Sequence, residues 1–404
     1  MIEKIFTTAK NASADRSTSR IINQKALVDA IYESDGISKA SLAARLSLSK
    51  PAVSSNVADL IAMGLIEEKG EGESSKNGGR KPIMLYFNKS HQYIATVVLS
   101  FERPVCAIGD LKYNILQLRK TNVARDAAPE VKKERIAETL NKMLRELNIP
   151  QDKLGLIVIS HPGIIDWDNK AYYSQAVHFP WTGIGLKDYL HGRFNTPVYL
   201  ENDMRLASIG EMHMGVGNHL QDLIYVSCGI GLGASVIHKG KPVLGCNRAA
   251  GEIGAFLTED FKQLEDVVAI RGLMERAKKL YIRNNLNPDE ITFENIIKLS
   301  LRDDILVNQA LFEIGLILGK VLYNCCVMFD ISTVIFGGDY AKLGPALFKG
   351  INETVLHPTL MIHPNVIKSE LREAAGVYGA FVVGAGEIIN RKLHINPTQE
   401  SLQF

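Results

Sequence analysis

The chain has 404 residues, of which 46% are hydrophobic and 22% are charged, and its formal net charge at pH 7 is +2. This length calls for two or three domains, and the composition is that of a globular protein rather than a fibrous or disordered one. The first residues lack the apolar stretch of a secretory signal, and we expect no run of about 20 apolar residues that could cross a bilayer. These features predict a cytoplasmic protein with no membrane partner.

The segment after the first residues has the pattern of three short helices. Residues 1–19 are expected to form a mobile lead, and apolar side chains then recur at helical spacing over residues 20–34. Ser38 and Ser49 are suited to cap a second and a third helix. Pro51 fits the first turn of the third helix, because the N–H groups there have no intrahelical partner.

Two short apolar runs then flank a tip rich in Gly, Ser and Lys within residues 65–87, which predicts a β-hairpin. Three helices followed by a hairpin form a winged helix-turn-helix, whose third helix would enter the major groove of DNA. We place this domain at residues 20–89. A small helical domain that binds protein is the alternative.

The third helix offers four side chains for DNA. Lys50, Ser54, Ser55 and Asn56 are expected on or near its outward face, close to its start. A lysine can pair with a phosphate or a guanine edge, an asparagine can bond to adenine, and short hydroxyls allow close approach. Residues 1–90 hold 13 Lys and Arg against 10 Asp and Glu, a small excess that permits phosphate binding.

The hairpin tip, residues 77–82, combines two glycines with Arg80, Lys81 and a proline. An arginine in such a tip can lie in a narrow, A·T-rich minor groove, where the electrostatic potential is most negative. We therefore expect operator double-stranded DNA as a partner, with Arg80 and Lys81 among its contacts. A solvated flexible loop is the alternative.

From Tyr93 onward, β-rich runs alternate with helical segments, which predicts an α/β domain over residues 90–404. Four motifs in it carry a resemblance: His-Pro-Gly at 161–163, Glu-Asn-Asp at 201–203, SCGIGLGASVIHKG at 227–240 and Gly-Glu-Ile-Gly at 251–254. Together with the winged helix, they resemble the repressor branch of the ROK (repressor, open reading frame, kinase) family, which includes xylose and N-acetylglucosamine repressors. The resemblance implies a two-lobed actin-like, ribonuclease-H-like sugar-kinase fold with a sugar in the cleft.

The resemblance also implies a sugar site. A sugar ring needs several fixed donors and acceptors that converge on its hydroxyls. In the family's kinases, the residue that matches Asp203 is the general base; in a sensor it would accept a hydroxyl hydrogen bond. Without the resemblance, the Asn-Asp pair would be interpreted as a helix cap. The expected sugar-binding residues are Gly163, Asn202, Asp203, Glu252 and Glu265.

Two glycine-rich segments, 229–233 and 336–339, resemble the family's nucleotide-contacting turns. Tight backbone turns explain such glycines equally well.

The sequence departs from the family's kinases at the first phosphate loop. The kinases have Asp-x-Gly-Gly-Thr, whereas residues 98–103 read VLSFER, with Phe101 where phosphates would approach. Phosphoryl transfer depends on positioning and charge neutralisation, so we expect no catalytic residue, no ATP cofactor and no kinase activity.

The second departure concerns metal. Family members usually place a zinc-binding His after Gly-Glu-x-Gly and three cysteines beyond it. Here Ala255 stands at the His position and no cysteine follows before Glu265, so we expect no zinc. The cysteines show no zinc-cluster spacing and are expected as buried thiols in a reducing compartment. They are Cys106, Cys228, Cys246, Cys325 and Cys326.

The sequence thus predicts a sugar-responsive repressor that binds operator DNA and senses a sugar or sugar phosphate, as a homodimer or as a tetramer of two such dimers. An ATP-dependent sugar kinase with an attached DNA-binding domain is the alternative. A constitutive DNA binder that has lost its ligand is a third hypothesis.

Overall fold

The computed structural model describes residues 16–71, 81–101, 103–172, 179–181 and 183–395, and the chain forms two units. The first unit holds the described residues up to Tyr93 together with Asp110–Asn114 and the residues from Ala385 onward. The second unit holds Ile94–Gly109 and Ile115–Gly384.

The first unit is a winged helix-turn-helix. Its strands form an antiparallel sheet in the order β1-β3-β2, in which Ile66 pairs with Phe87 and Glu71 with Ile83. The predicted hairpin is therefore confirmed, and its tip lies outside the described residues. The elements are α1 (Arg16–Tyr32), β1 (Ile37–Ser38), α2 (Lys39–Leu46), α3 (Lys50–Ala62), β2 (Ile66–Glu71) and β3 (Ile83–Phe87).

Local signals set the helix limits in this unit. The Ser38 hydroxyl accepts a hydrogen bond from the N–H of Ser41 at 3.1 Å, and the Ser49 hydroxyl accepts one from Ala52 at 3.3 Å. Both predicted caps are confirmed. Each satisfies a first-turn N–H that no helical carbonyl can reach, which stabilises the helix by about 1 kcal/mol. The core between the helices consists of fully buried apolar residues: Leu27, Ile31, Leu42, Val53, Val57, Leu60 and Leu65.

The second unit contains two five-stranded sheets with the same topology. In each, the first three strands in chain order lie side by side and the last two are added beyond the first strand. The first sheet has the order β10-β7-β4-β5-β6 and the second β13-β12-β11-β14-β15. This repeat is the two-lobed actin-like fold that the motifs implied. The strands of the first sheet are β4 (Tyr93–Val98), β5 (Val105–Asp110), β6 (Ile115–Lys120), β7 (Leu154–His161) and β10 (Val198–Asn202).

The second sheet pairs β11 antiparallel with β12 and parallel with β14. Its strands are β11 (Leu223–Cys228), β12 (Leu232–His238), β13 (Lys241–Pro242), β14 (Thr333–Gly337) and β15 (Asn365–Lys368), and a separate hairpin comprises β8 (Ile164–Ile165) and β9 (Ala171–Tyr172). The remaining helices are α4 (Pro129–Glu146), α5 (Leu186–Phe194), α6 (Asp203–Met214), α7 (Leu264–Val268), α8 (Ile270–Arg283), α9 (Phe293–Ser300), α10 (Ile305–Phe329), α11 (Pro345–Val355) and α12 (Ala375–Lys392).

The expectation that no segment is long and apolar enough to cross a bilayer is wrong. Helix α10 is long and apolar enough, by length and composition, to cross a membrane. One side of it is part of the second lobe's core, where Leu311, Leu318 and Leu322 are fully buried. A buried core helix of a globular domain has this same composition, because it is apolar on several sides.

Candidate functional sites

Helix α3 presents polar side chains at its start. Lys50, Ser54 and Ser55 are all exposed, as expected for groups that could reach a DNA groove. Lys81, next to the wing strand β3, is exposed as well. Arg80 lies outside the described residues.

Asn56 is not on this outward face, and the expectation that placed it there is wrong. Asn56 is only 7% exposed, and its side-chain amide donates a 2.8 Å hydrogen bond to the carbonyl of Ala52, one turn earlier on α3. Asn56 follows Ser55 on the helix, and a single step of about 100° around the axis separates an exposed position from a buried one. The side chain therefore faces the inner side of α3 rather than solvent.

The cations of the winged helix differ in what they contact. Arg20, Lys25, Lys39, Arg45, Lys69 and Lys89 each form an ion pair with an acidic side chain of the same unit. Among the side chains described over residues 18–70 and 81–93, Lys50 and Lys81 are the Lys and Arg residues without such a pair. A cation that has no intramolecular partner can neutralise a phosphate without first losing an ion pair.

The proposed sugar residues begin where β10 meets α6. Asn202 is the last residue of β10, and its side-chain oxygen caps α6 by accepting from the N–H of Arg205 at 3.0 Å. Its amide nitrogen donates to the carbonyl of Gly163 at 3.0 Å. The motif is thus a helix cap, as its local pattern indicates, and the cap also ties α6 to the His-Pro-Gly turn after β7. Asp203 is consequently held at the first turn of α6, beside this turn.

Asp203 occupies an unusual electrostatic environment. One carboxylate oxygen accepts from the backbone N–H of Met204 at 2.8 Å. The pKa of Asp203 is raised to about 7, chiefly by desolvation. The negative charge of Glu252 also raises this pKa, whereas the hydrogen bond from Met204 and the charge of Arg205 lower it. A carboxyl group with this pKa changes its charge near neutral pH, which is typical of functional sites.

Glu252 and Glu265 belong to the same cluster. Desolvation and the charge of Glu265 raise the pKa of Glu252, whereas the charge of Arg205 lowers it. One oxygen of Glu265 accepts from the N–H of Leu232 at 2.8 Å, which fixes this carboxylate at the start of β12. Glu252 is thus close enough to interact electrostatically with both Asp203 and Glu265.

A buried charge network behind this cluster was not anticipated from the sequence. Glu201 accepts from the side chains of Arg205 at 2.7 Å and of Arg248 at 2.9 Å, and Glu201 and both arginines are buried. The Arg248 guanidinium lies 5.0 Å from the centre of the Trp167 ring. The Arg205 side chain also donates to the Arg248 carbonyl at 3.0 Å. These bonds fasten the loop before Glu252 to the first lobe.

The backbone of Arg248 explains why this network could not be predicted. Its φ is +56°, a left-handed conformation that glycine adopts at little cost and other residues seldom adopt.

Both glycine-rich turns are required by tight packing. A Cβ on Gly338, whose φ is +77°, would lie 2.5 Å from the carbonyl oxygen of Cys228, and a Cβ on Gly229 would lie 2.8 Å from a carboxylate oxygen of Asp339. Close approach of these two turns thus accounts for the glycines. The Asp339 carboxylate at this point forms an ion pair with Lys342 at 2.9 Å.

Residues 98–101, at the former phosphate loop, pack against aromatic side chains. The Phe101 ring is 5.1 Å from that of Phe179, which in turn lies 5.2 Å from the His161 ring. The indole N–H of Trp181 donates to the carbonyl of Ser100 at 2.8 Å. Burial lowers the pKa of His161 to about 4, so this ring is neutral at physiological pH. Aromatic rings replace the open backbone cradle that phosphates need.

The zinc ligands of the family have no counterpart in the described segment after Glu252. Ala255 ends a short 3-10 turn, and Thr258 and Lys262 close the next loop through backbone and hydroxyl hydrogen bonds. The residues present do not fit a zinc ion. The five cysteines are unpaired; four are buried, as expected, and Cys246 is exposed.

Each of the two units matches a known protein family. The chain matches the ROK family over residues 102–387 and the MarR family over residues 19–80. It is 29% identical over 374 residues to a xylose repressor from Bacillus spizizenii, which covers 91% of this chain and 95% of the relative.

Two solved structures share the fold. A ROK family transcriptional regulator, a homologue of the E. coli MLC protein, matches with a TM-score of 0.77 at 17% identity and covers 93% of this chain and 99% of its own. A ROK family glucokinase from Streptomyces griseus, in complex with glucose and AMPPNP, matches with a TM-score of 0.61 at 21% identity and covers 71% of this chain and 97% of its own.

Proposed function

The chain belongs to the ROK family, and from that premise we propose that it is a sugar-responsive transcriptional repressor that binds operator DNA through its winged helix. The observation that carries the proposal is the union of both domains in one chain, aligned over nearly its full length with a protein named xylose repressor. It acts in the cytoplasm, where operator DNA and reduced thiols are found.

DNA binding rests on α3 and the wing. Lys50 at the start of α3 and Lys81 beside the wing supply positive charge that no described acidic side chain pairs with, and the exposed hydroxyls of Ser54 and Ser55 contact the groove floor or phosphates. Arg80 lies in the minor groove beside the half-site and senses its width. Asn56 supports α3 from inside rather than contacting a base.

The sugar is bound by the carboxylates. Asp203, Glu252 and Glu265 accept hydrogen bonds from its hydroxyls, and Gly163 and Asn202 hold the adjoining turn in place. Hydrogen bonds of this kind strengthen in a desolvated cleft, where charged acceptors are worth about 1.5 to 3 kcal/mol each. Because relatives are named xylose repressors, xylose is the first sugar to test.

The domain binds its sugar without phosphorylating it. Asp203 matches the kinases' general base in the family motif, but Phe101 and its aromatic neighbours occupy the segment that corresponds to the phosphate loop. This segment therefore lacks the open glycine backbone that would bring N–H groups to a transferred phosphoryl group.

The protein works as a homodimer whose two winged helices meet two half-sites of one operator. Sugar binding closes the cleft and favours a subunit arrangement that no longer matches the half-site spacing. Sugar and DNA then stabilise two different conformations of the same molecule.

Three measurements test the proposal. An operator is first selected from a random duplex library with the wild-type protein, and its affinity is measured by fluorescence anisotropy with A·T or G·C flanks. Thermal shift across a panel of sugars and sugar phosphates, beginning with xylose, identifies the effector, because a ligand of the folded state raises the melting temperature. Coupled ADP release with ATP and that sugar tests catalysis. We expect operator binding that the effector changes and no ADP release; steady turnover would establish the kinase instead.

A further inference from the structure

Trp167 is a large aromatic side chain that remains open to solvent although it is firmly held. The residue is 44% exposed, whereas Trp181, the other tryptophan of the chain, is only 2% exposed. The indole N–H of Trp167 donates to the carbonyl of Cys246 at 2.9 Å, and the guanidinium of Arg248 lies over the ring at 5.0 Å from its centre. One edge and one face of the indole are therefore covered, and the rest of the ring is free to contact a ligand.

The turn that carries Trp167, between β8 and β9, is held by several hydrogen bonds. The N–H of Asp166 donates to the carbonyl of Lys170 at 3.0 Å, and the Asp166 carboxylate accepts from the N–H of Lys170 at 2.8 Å. The Asn169 side chain exchanges two hydrogen bonds with the backbone of Leu200 in β10, at 2.6 and 3.1 Å. The indole is thus presented by a preformed turn, so a ligand loses little binding free energy in ordering it.

The segments that hold Trp167 also carry the proposed sugar residues. The β8–β9 hairpin begins directly after Gly163. Arg248 pairs at 2.9 Å with Glu201, which is next to the last residue of β10. Arg248 also lies on the loop that leads to Glu252. The indole therefore lies beside the proposed sugar site.

An indole in this place supplies a contact that the carboxylates cannot make. The hydroxyls of a pyranose project mainly around the rim of the ring, and its C–H groups leave apolar areas on the two faces. Carboxylates accept hydrogen bonds from the rim but offer nothing to the C–H groups. The face of an aromatic ring is apolar and electron-rich, so C–H groups with a partial positive charge pack well against it. Ligand pockets commonly combine a few placed polar groups with aromatic side chains in this way.

We propose that Trp167 is the platform against which a C–H face of the bound sugar stacks. It thereby selects pyranoses that can present an apolar face to the indole while their hydroxyls reach the carboxylates. The inference rests on the proposed sugar site and adds a residue that lies outside the four family motifs. The competing role for Trp167, a cover for Arg248, would leave the ring as accessible with sugar as without it.

Collisional quenching by acrylamide tests the contact in the wild-type protein. Acrylamide quenches the fluorescence of an exposed tryptophan more than that of a buried one, and Trp167 is the exposed one of the two. The ligand is the sugar that raises the melting temperature most in a panel that begins with D-xylose. We expect saturating sugar to lower the quenching of the wild type towards that of Trp167→Phe, whose remaining tryptophan is buried.

Two substitutions isolate the aromatic face. Trp167→Phe and Trp167→Leu both lose the hydrogen bond to Cys246, but only the phenylalanine variant keeps an aromatic ring. We expect the leucine variant to bind the sugar about 3- to 10-fold more weakly than the phenylalanine variant, the usual range for one aromatic contact. Calorimetry measures both affinities, and urea denaturation compares the stability of the two variants.

Shielding of Trp167 by the sugar, together with the weaker affinity of the leucine variant, would support the proposal. Unchanged quenching, or equal sugar affinities of the two variants, would overturn it, and the ring would then serve as a cover for Arg248. If a variant does not fold, the quenching of the wild type still decides.

The proposed function is tested separately. A sugar that changes operator affinity without shielding Trp167 would remove the platform alone. A sugar that shields Trp167 but leaves operator affinity unchanged would remove the switch alone. Absence of a thermal shift with every sugar of the panel would remove both.

Discussion

Asp203 is the side chain on which the proposed sugar sensing depends most directly. Asp203→Asn keeps the size and the cap geometry but replaces a carboxylate acceptor by an amide. We expect sugar affinity to fall by about 10- to 100-fold, the usual cost of losing a charged hydrogen bond, while operator affinity without sugar stays unchanged. Calorimetry with the identified sugar measures the first quantity and anisotropy the second. A folded variant with wild-type sugar affinity would show that Asp203 lies outside the pocket.

The pKa of Asp203, about 7, also predicts how sugar binding depends on pH. Below pH 7 the free protein is protonated at this group, so the acceptor must lose a proton before it binds as a carboxylate. Wild-type affinity should therefore rise between about pH 6 and pH 8, and Glu252, whose pKa is also raised, acts in the same direction. Asp203→Asn should show a shallower dependence. Equal pH profiles for the two proteins would contradict this assignment.

The same shift has a consequence for stability. The folded-state pKa of Asp203 lies above its ordinary value of 3.8, so its contribution to stability is fully present below pH 3.8 and is lost as pH rises through 7. Asp203→Asn does not ionise, and it should melt at a higher temperature than wild type at about pH 8. The difference should shrink towards about pH 4. Thermal denaturation at several pH values checks this, and a variant that is less stable than wild type at the alkaline end would contradict it.

Arg248 combines a buried ion pair with an unfavourable backbone conformation. Arg248→Ala should destabilise the fold by about 3 kcal/mol, because it removes a partner of buried Glu201 and the contact with Trp167. Arg248→Gly loses the same contacts but relieves the left-handed backbone, so it should be about 1 kcal/mol more stable than the alanine variant. Urea denaturation measures both, and an alanine variant as stable as the glycine variant would argue against backbone strain.

Helix α3 and the wing act through charge as well as shape. Lys50→Ala and Lys81→Ala should each weaken operator binding and reduce the dependence of log Kd on log salt by about 0.9, one phosphate contact. Lys25→Ala is the matched control, because Lys25 already pairs with Asp29. Anisotropy at several salt concentrations supplies the slopes. An unchanged slope in both lysine variants would place the phosphate contacts elsewhere.

The segment at the position of the kinases' phosphate loop is held in place by aromatic side chains. Phe101 contacts Phe179, and Trp181 holds the carbonyl of Ser100, so the segment is fixed by rings from a later part of the lobe. Restoring glycine at one position would not recreate a cradle, because the aromatic partners would still fill the space.

Considered as a whole, the molecule should couple its two units through one equilibrium. If the sugar weakens operator binding by some factor, saturating operator must weaken sugar binding by that same factor. A coupling of about 1 to 3 kcal/mol would correspond to a factor of about 5 to 150. Titrations of each ligand with and without the other measure both factors. A sugar that binds tightly but leaves operator affinity unchanged would contradict the proposed switch.

Much of this protein was decided by local sequence. Serine caps, Pro51 and the helical spacing of apolar residues predicted three helices, and the hairpin pattern predicted the wing strands. These features depend on hydrogen bonds and steric limits within a few residues, so they can be recognised without knowing the rest of the fold. The family motifs added the two-lobed architecture.

Tertiary structure alone decided the environment of individual side chains. Asn56 lies in a polar run, but the packing of α3 turns its side chain inward. Glu201 pairs with Arg248, a residue 47 positions later in the chain. The pKa of Asp203 arises from desolvation and from Glu252, which only the fold brings near. Burial and charge act through space over a few ångströms, whereas a sequence pattern records neighbours along the chain. For that reason the sequence could only name candidate residues, and the fold determined their charges, partners and orientation.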